Sequence, residues 1–247
     1  MIDLQPWQWA LAIFGALLVG ISKTGIAGLG LLAVVLFAQI MPAKQATGIV
    51  LPLLIFGDVI AVASYRRHTQ FRFLWKLFPW TAAGVFLGYF ALQRINDHQA
   101  KVLIGSIILG LLGVHLARRR GVVNEEGEHA AWFAPLIGVL AGFTTLVANA
   151  AGPLMVIYLL AMRLPKMEFV GTGAVFFLLL NLFKVPFMIK LNLITEPSFA
   201  MNLWLAPCVV LGAYAGRKVL VKIDQRVFEN LALVLSAVAG AKLLLSG

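Results

Sequence analysis

The chain is poor in almost everything that builds a soluble enzyme. Cys208 is the single cysteine, so no intrachain disulfide and no cysteine-based metal cluster can form. Charged residues make up only 12% of the chain, about half the share found in soluble domains. HExxH, GxSxG and Walker A signatures are missing, and His68, His98, His115 and His129 share no metal-ligand spacing. The sequence therefore reads as a non-enzyme with no cofactor and no metal, and without a P-loop the chain by itself cannot use ATP to move a solute.

What remains is apolar. Apolar residues are 61% of the chain and the mean hydropathy is +0.94. A soluble fold of this length cannot hide so much apolar surface, whereas lipid solvates it. Lipid offers the backbone no hydrogen-bond partners, so each crossing is a helix or part of a closed barrel. The apolar runs are continuous rather than alternating, which selects helices. The net charge of +10 suggests nucleic acid at first sight, but the basic residues sit in short clusters between apolar runs, as in membrane proteins. Residues 1–6 lack a positive n-region, so the first apolar run is expected to stay in the chain rather than act as a cleaved leader.

Apolar segments fall near 7–21, 26–41, 47–65, 73–93, 102–117, 132–147, 152–162, 169–189, 199–220 and 227–245. They also repeat. Pro42, Gly48 and Asp58 recur 123 positions later as Pro165, Gly171 and Asn181, and Pro79, Gly84, Gly88 and Ile95 recur 128 positions later as Pro207, Gly212, Gly216 and Ile223. The predicted fold is all-α: a polytopic bundle of two inverted repeats, 1–117 and 132–247, joined by a charged cytoplasmic linker at 118–131. Residues 7–41 would make one helix about 52 Å long, too long for a crossing of about 30 Å. A broken or re-entrant hairpin fits better, with its tip at Ser22-Lys23-Thr24-Gly25 and a second tip at Asn149-Ala150-Ala151-Gly152-Pro153.

Each half then nets an odd number of crossings, so the halves are opposed in the membrane. This assignment puts Lys44, Arg94, Lys101, Lys184, Lys190 and Lys242 on one face and the other fourteen of the twenty Lys and Arg on the opposite face. By the positive-inside rule the richer face is cytoplasmic, both termini lie outside, and the expected setting is a bacterial inner membrane.

Inverted repeats with broken helices place a solute site at the midplane, where half-helix ends and freed backbone meet. The expected substrate-binding residues are Ser22, Lys23, Thr24 and Gly25 at one tip, and Thr144, Thr145, Asn149 and Pro153 at the other. Hydroxyls, an amide, helix N-termini and the Lys23 charge together favour a small anion. The alternative for any single Ser or Thr is a bond to its own helix backbone or a neighbouring helix. Asp58 lies mid-segment, where an ionisable group is a functional candidate; its repeat mate is Asn181, and Lys184 lies one turn beyond. Asp58 and Lys184 are expected to meet, as a neutralised structural pair or as one that responds to substrate or protons. Gly84/Gly88 and Gly212/Gly216 have the spacing of close helix packing.

The stretches LPLLIFGDVIAVASYRRH (51–68) and GFTTLVANAAGPLMVIYLLAMRLPKMEFVGTGAVFFLLLNLFKVP (142–186) resemble the TauE/SafE transporters, also called the sulfite exporter or four-toluene-sulfonate uptake permease family. The resemblance implies an inner-membrane permease with about eight spanning helices, solutes such as sulfite, thiosulfate or small organosulfonates, and a Gly-rich turn where Gly25, Gly28 and Gly30 stand. The reading is a secondary transporter working by alternating access, with a small anionic substrate, membrane lipids around it, a proton or sodium ion as the coupling ion if the anion is taken up, and no nucleic-acid partner; the oligomeric state is open. Two other readings are a lipid-phosphate carrier, which needs a laterally open groove with basic residues at headgroup depth, and a non-transporting scaffold or sensor, for which the chain offers no loop longer than 118–131.

Overall fold

The computed structural model describes residues 4–25, 29–94, 96–119 and 131–245. Gly28 of the glycine-rich turn, Ile95 of the repeat and residues 120–130 of the linker lie outside them. The described residues form ten α-helices and no strand: α1 (Pro6–Thr24), α2 (Leu29–Ile40), α3 (Ala43–Tyr65), α4 (Phe71–Leu92), α5 (Asp97–Arg119), α6 (Phe133–Ala148), α7 (Ala151–Ala161), α8 (Lys166–Lys190), α9 (Glu196–Lys222) and α10 (Gln225–Leu245).

Helix boundaries follow local chemistry. Pro42 and Pro165 stand as N-caps of α3 and α8 with matching extended backbone, φ −54° and −55°, because proline has no N–H to lose at a helix start. Thr195 and Ser198 cap α9 reciprocally, satisfying donors that a helix start leaves free. Asn149 ends α6 in the left-handed region at φ 51°, a conformation that asparagine tolerates better than most residues. In the first half the corresponding stop is Gly25, whose N–H bonds the Ile21 carbonyl.

Three helices are long and apolar enough to cross a membrane by length and composition: Lys44–His68, Lys166–Lys190 and Glu196–Lys222. One of these, α9, carries apolar side chains outward, as does α4. Trp204, Leu211, Tyr214 and Val221 on α9, and Leu87 and Phe90 on α4, are all more than half exposed. Such a surface is solvated by lipid rather than water.

Contacts define the arrangement. Gly15 of α1 lies against Phe37 of α2, and Gly30 against Ser22, so α2 folds back along α1. Phe133 and Tyr158 stack at 6.0 Å between ring centroids, so α7 folds back along α6. Helices α1 and α9 run in parallel through Gly20 against Val209–Ala213 and Gly212 against Leu17, and α4 and α6 do the same through Gly84 against Val139 and Gly142 against Thr81–Val85. A Cβ on Gly142 would fall 2.0 Å from the Thr81 carbonyl oxygen, and one on Gly212 would fall 2.1 Å from that of Leu17, so these glycines set the helix separation. Helices α3 and α8 cross antiparallel, with Gly48 near Leu193 at one end and Gly171 near Tyr65 at the other. The two larger apolar clusters lie around Ala12–Val19, Phe37 and Leu53, and around Leu154–Leu159, Phe176 and Leu180, with a smaller third around Ile104, Ile108 and Val147. The polar groups between them form the site.

Candidate functional site

The break between α6 and α7 and the end of α1 converge on the crossing of α3 and α8. Between them lies a cavity of about 90 Å³, lined by Ser22, Lys23, Gly25 and Gly30 from the first break, Leu54 and Asp58 from α3, Thr145, Asn149, Gly152 and Pro153 from the second, and Phe177 and Asn181 from α8. That is well above the roughly 10–15 Å³ needed to admit one water, and leaves room for a few waters or one small oxyanion.

Asp58 is fully buried. Its Oδ1 lies 2.8 Å from Lys23 Nζ, and Asn181 Nδ2 donates to its Oδ2 at 2.6 Å. Lys23 reaches it from the last turn of α1, with its ammonium 4.6 Å from the centroid of the Phe177 ring. That face of the ring is a favourable seat for a cation in an apolar setting. Lys184, also fully buried, donates to the Thr145 carbonyl at 3.2 Å, to Thr145 Oγ1 at 3.0 Å and to Asn149 Oδ1 at 2.6 Å. Its charge therefore sits at the C-terminus of α6, where the helix dipole is negative. The amide of Asn149 also donates to the Thr47 carbonyl at 2.9 Å, so one side chain ties the break to both α3 and α8. Gly152, in the first turn of α7, lines the same cavity, and its N–H has no partner inside its own helix.

Several expectations change here. Asp58 and Lys184 do not form the pair. Asn181 takes the place opposite Asp58, and Lys184, about 4.5 Å further along α8, turns to the α6 carbonyls instead. Lys23, expected as a lone positive charge at a tip, is the partner of Asp58. Thr24 does not line the cavity: its hydroxyl donates to Ala213 O at 2.6 Å and to Gly20 O, fastening α1 to α9. Thr144 is buried and donates to Ala141 O in its own helix. For both, the bland alternative of a backbone-bonded hydroxyl holds. Ser22, Lys23, Gly25, Thr145, Asn149, Pro153, Asp58 and Asn181 share the cavity. Gly152, part of the expected second tip though not of the expected binding set, lines it too, and Gly173 and Phe177 were not anticipated. A Cβ on Gly152 would meet nothing within 4 Å, and one on Gly173 would only touch Leu159 at 3.8 Å, so these glycines leave space rather than permit a turn. Among the described residues no three His, Cys, Asp or Glu side chains gather as a metal site.

An all-helical chain with a lipid-facing exterior and a small charged cavity between interrupted helices is the layout of a membrane transporter. Residues 12–243 match the family model described as Sulfite exporter TauE/SafE, and the chain belongs to that family of membrane transporters. Comparison with curated proteins and with solved structures finds no match.

Proposed function

We propose that the chain is a secondary transporter, a permease for a small anion such as sulfite or a small organosulfonate, working by alternating access at the cavity between the two helix breaks. One observation carries this reading: the buried charges do not cancel. Lys23 pairs with the single carboxylate, Asp58, while Lys184 bonds the α6 break, so the formal count of these three groups is one positive charge where lipid offers no compensation. An anion entering beside Lys23 removes that excess, and the Gly152 N–H at the start of α7 and the hydroxyl of Thr145 supply donors to it, whereas the Ser22 hydroxyl is bonded to the Val19 carbonyl. The small volume favours an oxyanion of few atoms.

The inverted repeat supports the mechanism. We read α1 on α9 and α4 on α6 as one contact made twice, by halves 1–117 and 132–247 in opposite orientation, with 118–131 as a cytoplasmic linker and with hairpins that re-enter the membrane. The glycines of the two contacts, Gly84 and Gly212, are 128 positions apart and each takes a partner helix against its backbone. The Lys and Arg distribution supports a bacterial inner membrane with both termini outside. A potential of 100 mV, negative inside, contributes about 2.3 kcal/mol per charge, which drives anion export without a coupling ion. Uptake would need a proton or sodium ion, and Asp58 is the group we assign to it.

The test is flux in proteoliposomes. Sulfite or a small sulfonate should cross saturably, respond to an imposed potential as an anion does, and stop crossing when Lys23 is replaced by Met. Absence of saturable flux for sulfite, thiosulfate, sulfate, sulfoacetate and taurine alike would overturn the proposal.

A further inference from the structure

A second recess lies between the first turns of α4 and α6, remote in composition from the charged cavity, with which it shares no lining residue. Its volume is about 830 Å³, and Arg72, Trp75, Lys76 and Trp80 form its rim over a floor that includes Phe133 and Tyr158. Arg72 and Lys76 are one helical turn apart, both exposed, and neither makes an ion pair among the described residues. The Arg72 guanidinium rests 4.5 Å from the centroid of the Phe73 ring, which holds it in place at the rim. Trp75 is 61% and Trp80 46% exposed, as suits indoles at a membrane interface.

From this we infer that the groove binds the phosphate of an anionic membrane lipid, retained as a structural lipid rather than carried. Two cations at one end match a phosphate, while the aromatic and proline walls beyond them match acyl chain, a surface for which an inorganic phosphate has no complementary part. Basic pockets between helices at a membrane face recognise anionic headgroups in this way. The cations are not a by-product of helix packing. At the positions 128 residues later, on the matching face of α9, stand Ala200 and Trp204 beside exposed Phe199 and Leu203. Both pairs of helices pack through glycines, but only the α4 face carries the charge. A lipid seated there bridges α4 and α6 at the end of their shared glycine contact, which starts where Gly138 meets Leu77 and Trp80.

The experiment compares lipid retention by the full chain in native mass spectrometry with melting of delipidated protein on adding back phosphatidylglycerol or phosphatidylcholine. The expected result is one tightly retained phosphatidylglycerol and a rise in Tm with that lipid but not with phosphatidylcholine. Arg72→Gln/Lys76→Gln should weaken retention at least tenfold. Arg217→Gln/Lys218→Gln, which removes the same charge from another exposed face, should leave it unchanged. Equal loss in both variants, no preference between the two lipids, or full stabilisation by inorganic phosphate alone would each overturn the assignment. So would phosphatidylglycerol binding that appears only after Glu125, Glu126 and Glu128 are changed to Gln, since the groove would then belong to that acidic segment.

Discussion

Lys23 and Asp58 hold the end of α1 against the middle of α3, ammonium to carboxylate at 2.8 Å, with the lysine 10% and the aspartate 0% exposed. The pair is a local neutralisation, while Lys184 stands apart at the α6 break. That arrangement separates two roles. Asp58 restrains Lys23, and Lys23 alone of the two lysines lines the cavity.

Breaking this pair from one side should be costly. Asp58→Leu leaves Lys23 buried without its carboxylate and is expected to lower stability by about 3–5 kcal/mol, as for other buried pairs deprived of one partner. Adding Lys23→Met should recover most of that loss while flux stays absent. Melting of the single and double variants in detergent, alongside vesicle flux, checks both halves. A double variant no more stable than Asp58→Leu would show that the pair is not the relevant contact.

Lys184 acts through Asn149 and Thr145 rather than on the anion. Lys184→Met strips three charge-assisted hydrogen bonds from the α6 break, each worth about 1.5–3 kcal/mol. Anion affinity is expected to fall at least tenfold as Asn149 loses its anchor, and Tm to fall with it. Asn149→Ala should then add little further loss of affinity on top of Lys184→Met. Independent, additive losses would contradict the coupling.

Two glycines of the cavity separate folding from function. Gly152→Val and Gly173→Leu project side chains into open space, so Tm should change by no more than a few degrees. The cavity of about 90 Å³ has little volume to spare, and flux should be lost. A variant that melts early and also fails to transport would mean these positions are structural.

The packing glycines should behave in the opposite sense. Gly142→Ala and Gly212→Ala force a methyl group into a partner helix's backbone, where no rotamer can yield, and are expected to cost about 1–3 kcal/mol or more. Gly110→Ala, on α5, meets nothing within 4 Å and should stabilise by about 0.5–1 kcal/mol through helix propensity. Denaturation midpoints of the three variants test the contrast.

The helices were legible because their cause is local. Ten apolar runs, Pro42 and Pro165 at helix starts, and polar interruptions at 22–25 and 149–153 are written in consecutive residues, and the helices begin and end where those signals stand. Asp58 and Asn181, 123 positions apart, meet, where Lys184 was the expected partner of Asp58. Partner choice was less legible. Nothing in the spacing says that Lys184 turns to Thr145 or that Lys23 reaches Asp58, because periodicity assigns a side chain to a helix face but not to the helix opposite. Thr24 and Thr144 failed for the same reason: a hydroxyl at a break serves solute or backbone according to which neighbour stands within 3 Å of it.

By itself the sequence determined that this is a helical membrane protein, where its helices break, and that positive charge lies at one break. Those properties depend on transfer of side chains to lipid and on backbone bonds made within single segments. Only the tertiary structure decided which lysine faces the cavity, which pairs with Asp58, and which glycines are absent volume rather than close packing. Those depend on distances between residues up to 189 positions apart, such as Thr24 on Ala213, and such distances exist only once separate helices are packed against one another.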